Sequence, residues 1–447
     1  MRQTHLLAAL ALLASTAARA DTVEARSTTF LTVGQDTRYR GGSKPDLVTV
    51  APAYEILSVT ARDLTTPVAD FQVVLSTWGA VDLARRRWDA GTTGSSATSA
   101  DVTTGYIQAQ LAQRHLTLRA GRISVSTGSA RMIQVDGGEL AAALPLGWVD
   151  LKLEAYAGQP TAQRFESRSG EKSWNPTGGD LAYGGRAALD LPLPGLPGRA
   201  LELGASGNVV KDRSDLVRQE VGGDVRFQPF ARSDLVLTGF ATYDTFDHRY
   251  SEAQTVLSAS LTSHLHLTAD WRFVEPDLLL SRTSILSVFS ASTWDEYGGG
   301  LRYDLGRGIH LGADAHLRVE PGDATSGGHT GSDLSGRVDW ESSRGSAGGE
   351  LSYLNASENG YVGARIYGRR NLGKYFVAAD VLGQFFDKSV NGQGQAVTGT
   401  LSAGLDLTRG FSALVSGSAG MTPYLEQTFD VMVKLAYNQI YLTREVR

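Results

Sequence analysis

Three arginines and an aspartate lie close together in the segment Leu116–Gly138, LTLRAGRISVSTGSARMIQVDGG. They are Arg119, Arg122, Arg131 and Asp136. A guanidinium group is charged at all physiological pH values and binds carboxylate or phosphate oxygens through parallel hydrogen bonds. A cluster of such groups would attract anionic solutes. The alternative is that these arginines pair with Asp136 and other nearby acids and hold the structure together.

Histidines offer a second kind of chemistry. His264 and His266 are two residues apart, so on a β-strand they would share one face, and His310 would lie two strands away near the same end. Imidazoles with this spacing can hold a transition metal. We interpret them instead as ordinary polar residues of a hydrated face, and we predict no metal site and no cofactor.

The motifs of hydrolytic enzymes do not occur in the chain. There is no G-x-S-x-G nucleophile elbow and no H-E-x-x-H zinc motif. Serine, histidine and aspartate are common on the polar faces described below, but no set of them stands out as catalytic. We therefore predict no catalytic residues and a protein that is not an enzyme.

The elements that would position these residues are β-strands. In Ile309–Glu320, apolar residues alternate with polar or charged ones. The same period of two runs through Trp148–Ala157, His264–Phe273 and Phe429–Tyr437, and the last of these strands ends there or continues to Leu442. Alternation over about ten residues is typical of a strand with lipid on one side and water on the other.

We predict an all-β fold: a single transmembrane antiparallel up-and-down β-barrel of about 22 strands (range roughly 18–22) without a separate plug domain. Short turns on one side alternate with longer polar connections on the other, as expected of periplasmic turns and external loops. The polar face would line a pore. The predicted pore-lining residues are Arg119, Arg122, Arg131, Asp136, Asp150, Lys152, Glu154, Arg272, Asp314, His316 and Arg318.

The connection Glu275–Thr293 is too apolar for an ordinary exposed loop, because it contains Leu280, Ile285 and Phe289 among other apolar residues. An apolar connection of this length would fold into the lumen or pack at its rim and narrow the pore. The alternative is that it forms part of an extended strand. We predict that these three residues belong to a constriction loop.

The first twenty residues, MRQTHLLAALALLASTAARA, have the form of an export signal. Arg2 precedes a short apolar core, and Ala18-Arg19-Ala20 is a small-x-small cleavage site. We predict that 1–20 is a cleaved signal peptide and that 21–447 is the barrel with its external loops. The chain has no cysteine and a net charge of −5, and a negative charge argues against nucleic-acid binding.

The arginine-rich segment resembles the G-R…G…R…D-G pattern of porin-like outer-membrane barrels of the alginate-export and related porin families. The resemblance covers Leu116–Gly138 and the general strand pattern, and Ile123 stands where those families often have glutamine. It implies that Arg119, Arg122 and Arg131 line the lumen and favour anions.

These patterns predict a porin-like channel in the outer membrane of a Gram-negative bacterium, through which small hydrophilic solutes diffuse passively. Anions would be preferred if the arginines face the pore unpaired. The expected partners are the lipid bilayer, lipopolysaccharide and small solutes, with no nucleic acid; periplasmic or envelope proteins and a homo-oligomer stay open. The alternative function is a barrel that anchors a larger envelope assembly for motility, secretion or adhesion. A barrel enzyme acting on lipid or peptide is a third hypothesis.

Overall fold

The alternating segments form one antiparallel sheet in a computed structural model of the chain. The structure describes residues 22–38, 46–84, 98–126, 128, 132–161, 180–196, 200–213, 215–230, 235–275, 293–322, 328–357, 359–408, 410–423 and 425–442. The predicted signal peptide, Arg131 and the three predicted constriction residues lie outside these ranges.

The described strands are short enough to cross a bilayer once each and are joined in chain order. They are β1 (Thr22–Arg38), β2 (Asp46–Val50), β3 (Pro52–Thr65), β4 (Ala69–Asp82), β5 (Thr98–Leu111), β6 (Leu116–Val125), β7 (Ile133–Pro145), β8 (Asp150–Pro160), β9 (Leu181–Leu191), β10 (Leu201–Asp212), β11 (Asp215–Phe227), β12 (Leu235–Asp244), β13 (Arg249–Ser260), β14 (Leu265–Val274), β15 (Trp294–Gly306), β16 (Ile309–Glu320), β17 (His329–Ser342), β18 (Gly345–Asn355), β19 (Tyr361–Leu372), β20 (Tyr375–Val390), β21 (Gln393–Thr408), β22 (Phe411–Thr422) and β23 (Leu425–Leu442).

The sheet closes on itself because β1 pairs with both β3 and β23. The β1–β23 ladder runs from Thr22 opposite Leu442 to Arg38 opposite Leu425. Segments β2 and β3 both pair with β1 and are separated by Ala51 alone, so the 23 segments make 22 wall strands. Closure gives each wall strand two hydrogen-bonded neighbours, which a lipid environment requires. The predicted fold class and strand number are therefore confirmed.

Helical structure is minimal in the described ranges. A 3-10 turn at Ala112–Arg114 joins β5 to β6. Among the described residues, no helix has the length and apolar character needed to cross a membrane.

Several strand boundaries agree closely with the alternation. The segment Ile309–Glu320 is β16 from its first residue to its last. The final strand continues past Tyr437 to Leu442, which decides between the two endings that the sequence left open. The polar segment Asp387–Gln395 is predicted from its sequence to be one of the longer connections, but β20 and β21 extend into it and leave a two-residue turn. Asn391 and Gly392 both have positive φ (50° and 80°) and suit a tight hairpin turn.

The two faces of the wall differ in composition. On one face, large apolar side chains are exposed: Leu351 is 66%, Ile366 72% and Leu401 70% exposed. Their neighbours along the strands, such as Arg365 and Thr400, project from the other face because successive side chains alternate. This arrangement matches an apolar outer surface around a polar interior.

Candidate functional site

Charged side chains reach across intervening strands on the polar face, which identifies it as the inner, concave side of the barrel. The Lys152 Nζ on β8 lies 2.8 Å from the Glu202 Oε2 on β10, so the contact passes over β9. Arg186 on β9 bonds Asp224 on β11 in the same way. Side chains converge on a concave face and diverge on a convex one, and such contacts are therefore inner contacts.

These residues form an ion cluster on the inner wall, which we call the β8–β11 ion cluster. It comprises Lys152, Arg186, Asp190, Glu202 and Asp224. The Arg186 Nη2 donates to Glu202 at 2.5 Å, and the Arg186 Nε donates to Asp224 at 3.1 Å. Lys152 also lies 3.0 Å from Asp190. Only 11% of the Arg186 side chain is exposed, so its charge is largely neutralised by these carboxylates.

The connection between β6 and β7 approaches this cluster. Gly128 has a positive φ of 60°, and a Cβ placed there would lie 2.5 Å from an Asp224 oxygen and 2.7 Å from the Arg186 Cδ. Gly128 therefore packs directly on the β8–β11 ion cluster, several strands away from the two strands that it connects. A residue of this connection thus lies inside the lumen. The inward course predicted for Glu275–Thr293 stays a prediction, because residues 276–292 lie outside those that the structure describes.

Two of the three arginines singled out in the sequence, Arg119 and Arg122, are paired with acids. Arg119 bonds Glu139, and Arg122 donates to Asp136 at 2.6 and 2.7 Å and to Asp101 at 3.0 Å. Arg119 and Arg122 are three residues apart in one uninterrupted ladder, so they leave opposite faces of β6. These contacts fit the interpretation that the arginines hold the wall together.

The inner face of β6–β9 also carries an apolar cluster that the alternation did not predict. Ile123 and Val135 are fully buried, and Tyr156 is 5% exposed. The Tyr156 hydroxyl donates to Asn208 on β10 at 3.2 Å. Tyr156 lies near the end of the alternating segment Trp148–Ala157, where an aromatic residue is typical of a membrane interface, but it packs inside. A signal for this cluster exists in the sequence, because Ile123 and Val135 are apolar residues at positions that the alternation assigns to the polar face.

Buried polar side chains continue this covered region onto β10–β13. Glu220, Thr242 and Asp244 are only 2–3% exposed, and Ser251 is fully buried. The Ser251 hydroxyl donates to the Thr242 carbonyl at 3.3 Å. Together with the apolar cluster, these residues shield the inner wall of β6–β13 from water toward the end of the strands at which they lie.

On the inner wall at β14–β16, two arginines contact the same aromatic ring. The Arg272 and Arg318 Cζ atoms lie 5.5 and 4.5 Å from the centre of the Trp294 ring, within the range of cation–π attraction. Arg272 donates to Glu252 at 2.8 Å, and the Arg318 Nε lies 3.0 Å from Glu320. Both predicted lining arginines are thus ion-paired as well.

Further round the wall, side chains are more open to water. The side chains of Arg337 and Arg365 are 43% and 46% exposed, and Asp380 is 35% exposed. The Arg365 Nε donates to Asp380 at 3.0 Å. An inner groove of about 420 Å³ lies here, and its lining includes Glu350, Arg365, Asp380, Thr398 and Thr400.

The remaining sequence candidates lie on the same polar face. Asp150 is opposite Asp190, Glu154 is opposite Arg186, and Asp314 is opposite Gly300. The role of these residues in lining a pore stays a prediction. Leu280, Ile285 and Phe289 lie outside the described residues, so their assignment to a constriction also stays a prediction.

His310 on β16 lies two strands from His266 on β14, as predicted, and both line one pocket. His266 is 2.8 Å from the Ser260 hydroxyl, and His310 faces Asp304 at 3.8 Å. A different histidine, His316, reaches Asp270 two strands away, with 3.3 Å between Nε2 and Oδ1. The sequence gives no direct sign of this pair, because its members are separated by one whole strand.

Comparison with known proteins yields structural likenesses only. No protein-family model matches the chain, and no curated protein matches it in sequence. The solved structures similar to it include the porin OccAB4 of Acinetobacter baumannii (8% identity, TM-score 0.46, covering 95% of this chain and 100% of that one). They also include the P pilus usher PapC translocation pore (10% identity, TM-score 0.49, covering 93% and 99%).

A third similar structure is the ferric enterobactin receptor PfeA of Pseudomonas aeruginosa, in complex with enterobactin. It has 12% identity and a TM-score of 0.54, with 92% of this chain and 81% of that chain covered. Identities this low show a shared fold and nothing finer. The likeness to PfeA, the one of these three with a TM-score above 0.5, agrees with the closed wall of 22 strands in showing the fold of a large antiparallel β-barrel.

Proposed function

We propose that the protein is a channel through which small hydrophilic solutes diffuse passively across the outer membrane. The observation that carries this proposal is the contrast between the two faces of a closed wall, which has exposed leucine, isoleucine and valine outside and ionised groups inside. A barrel of about 22 strands is wide enough to hold water as well as inward-folded segments. No catalytic step is part of this proposal.

The solute path in this proposal follows the β14–β21 side of the lumen. Inner side chains there, such as Arg337 and Arg365, are close to half exposed, whereas Thr242 and Asp244 on the β10–β13 side are almost fully buried. The groove beside Arg365 faces this open side. The approach of Gly128 to the β8–β11 ion cluster supports a lumen that is narrowed from the opposite side.

The anion preference expected from the sequence has little support in the contacts of its arginines. Arg119 and Arg122 are each bonded to carboxylates, and paired charges present little net potential to a passing ion. On the open side, Arg337, Arg365 and Asp380 bring charges of both signs. We therefore propose selection by size and polarity, with a weak preference between anions and cations.

Conductance of the purified protein in planar lipid bilayers tests this function. We expect ohmic steps and a reversal potential near zero in a salt gradient. Thr400→Trp would place a large ring on the inner groove and lower the step size, whereas Leu401→Trp, on the neighbouring outward position, would leave it unchanged. A folded barrel that stays silent and co-purifies with periplasmic proteins would favour the envelope-scaffold function instead.

A further inference from the structure

Three side chains with metal-binding chemistry converge on neighbouring strands of the inner wall. Asp270 on β14, Glu296 on β15 and His316 on β16 each bring one ligand atom to within 4.8 Å of the other two. We infer that these residues form a binding site for a divalent transition-metal ion of the zinc type. The site is separate from the channel proposal, since binding can be measured whether or not the barrel conducts.

The spacing of the ligand atoms suits such an ion. Zinc lies about 2.0–2.2 Å from imidazole nitrogen and carboxylate oxygen, so ligands around one ion are separated by about 3–4 Å. The His316 Nε2 and Asp270 Oδ1 are already 3.3 Å apart. A small side-chain rotation of Glu296, on the strand between them, would complete three-point contact.

Gly298 makes the space for this arrangement. It lies on β15 directly between Asp270 and His316 in the cross-strand register. A Cβ at this position would lie 2.0 Å from the His316 Cδ2, so any side chain would displace the ring. The imidazole can reach Asp270 because the residue between them is glycine.

Glu296 is available as a ligand although two arginines flank it. Arg272 and Arg318 are its direct cross-strand neighbours, but they are ion-paired with Glu252 and Glu320 and lie over the Trp294 ring. Within the described part of the chain, Glu296 makes no hydrogen bond or ion pair of its own. The Glu296 carboxylate is half-buried beside the His316 imidazole and is not engaged by another cation, so it can bind a metal ion.

The donor set favours transition metals over calcium or magnesium. Imidazole suits zinc, copper, iron and nickel, whereas calcium and magnesium prefer an all-oxygen shell. Three protein ligands leave at least one coordination position for water from the lumen, the pattern of an open rather than a closed zinc site.

Equilibrium titration of the metal-free, detergent-solubilised full chain with Zn²⁺ tests the site. We expect saturable binding of one ion, with weak competition from Mg²⁺. His316→Ala and Glu296→Gln should each weaken Zn²⁺ binding at least about ten-fold, since each removes a ligand. His310→Ala is the matched control on the same strand: its ring faces Asp304, and its loss should leave the affinity unchanged.

Gly298→Ala tests the geometry without removing a ligand. The added methyl would push the His316 ring off Asp270 and should also weaken Zn²⁺ binding at least about ten-fold. Circular dichroism and heat-dependent gel mobility of each variant report whether the barrel is intact. Intact barrels in which all three variants bind Zn²⁺ like the parent, or a parent that shows no saturable binding, would overturn the site.

Discussion

Arg186 shows how single residues stabilise the inner wall. Its guanidinium bonds Glu202 and Asp224, which lie on the two strands that follow β9, and Lys152 bonds Glu202 from the strand before it. The side chain is 11% exposed, so its removal would leave two carboxylates with less compensation in a poorly hydrated place. The cluster therefore ties four consecutive strands together.

We expect Arg186→Ala to destabilise the folded barrel by about 1–3 kcal/mol, the range for losing hydrogen bonds between charged groups. Urea unfolding in lipid vesicles, followed by tryptophan fluorescence, gives the free energy of unfolding. Arg369→Ala is the control, because Arg369 is exposed and its contacts, a hydrogen bond to Asn371 and a cation–π contact with Phe376, involve no carboxylate. Equal destabilisation by both changes would show that the ion cluster has no special role.

At the scale of elements, alternation predicts the strands well and their partners poorly. The alternation of apolar and polar residues predicts the first and last residues of β16, because each of its positions faces either lipid or water. Alternation says which face a residue occupies but not which residue stands opposite. Asp270 and His316 meet only through the register of two ladders, so their contact could not be predicted from sequence.

Connections were predicted less well than strands for a related reason. The positive φ of Asn391 and Gly392 is a local property of that dipeptide, and the sequence does carry this turn signal. The inward position of Gly128 depends instead on its contact with the distant residues Arg186 and Asp224. No local pattern in Leu116–Gly138 encodes such a contact.

Gly128→Ala should displace this connection from the wall. The substitution adds a Cβ where Asp224 and Arg186 leave no room, at a φ of 60° that costs alanine about 1 kcal/mol or more. We expect the single-channel conductance to increase, because the lumen widens where Gly128 now lies. Gly147→Ala is the matched control, because Gly147 also has a positive φ (81°) but has nothing within 4 Å of its Cβ position. The same conductance in both variants and the parent would argue against an inward position of the connection.

The whole molecule is asymmetric although its wall is a regular ladder. The inner face of β6–β13 contains fully buried side chains such as Ile123, Val135 and Ser251. The inner face of β17–β21 instead leaves ion-paired groups such as Arg365 and Asp380 in contact with water. Strand pairing alone would give inner side chains the same exposure to water all round the barrel. The difference in exposure therefore arises from what the inner side chains of each half pack against.

This asymmetry predicts where water-soluble reagents can reach, and the absence of cysteine from the chain makes the measurement clean. Ser335→Cys lies on the inner face of β17, Thr242→Cys on the covered inner face of β12, and Leu351→Cys on the outer face of β18. In sealed proteoliposomes, a charged methanethiosulfonate should modify the first at least about ten times faster than the other two.

The reason differs between the slow positions: Thr242 is 3% exposed inside the wall, whereas Leu351 is 66% exposed but faces lipid, where the charged reagent is excluded. Denaturation in detergent should make all three equally reactive, which controls for the chemistry of each thiol. Fast modification at Leu351 would mean that the two faces have been assigned the wrong way round, and fast modification at Thr242 would mean that water fills the lumen evenly.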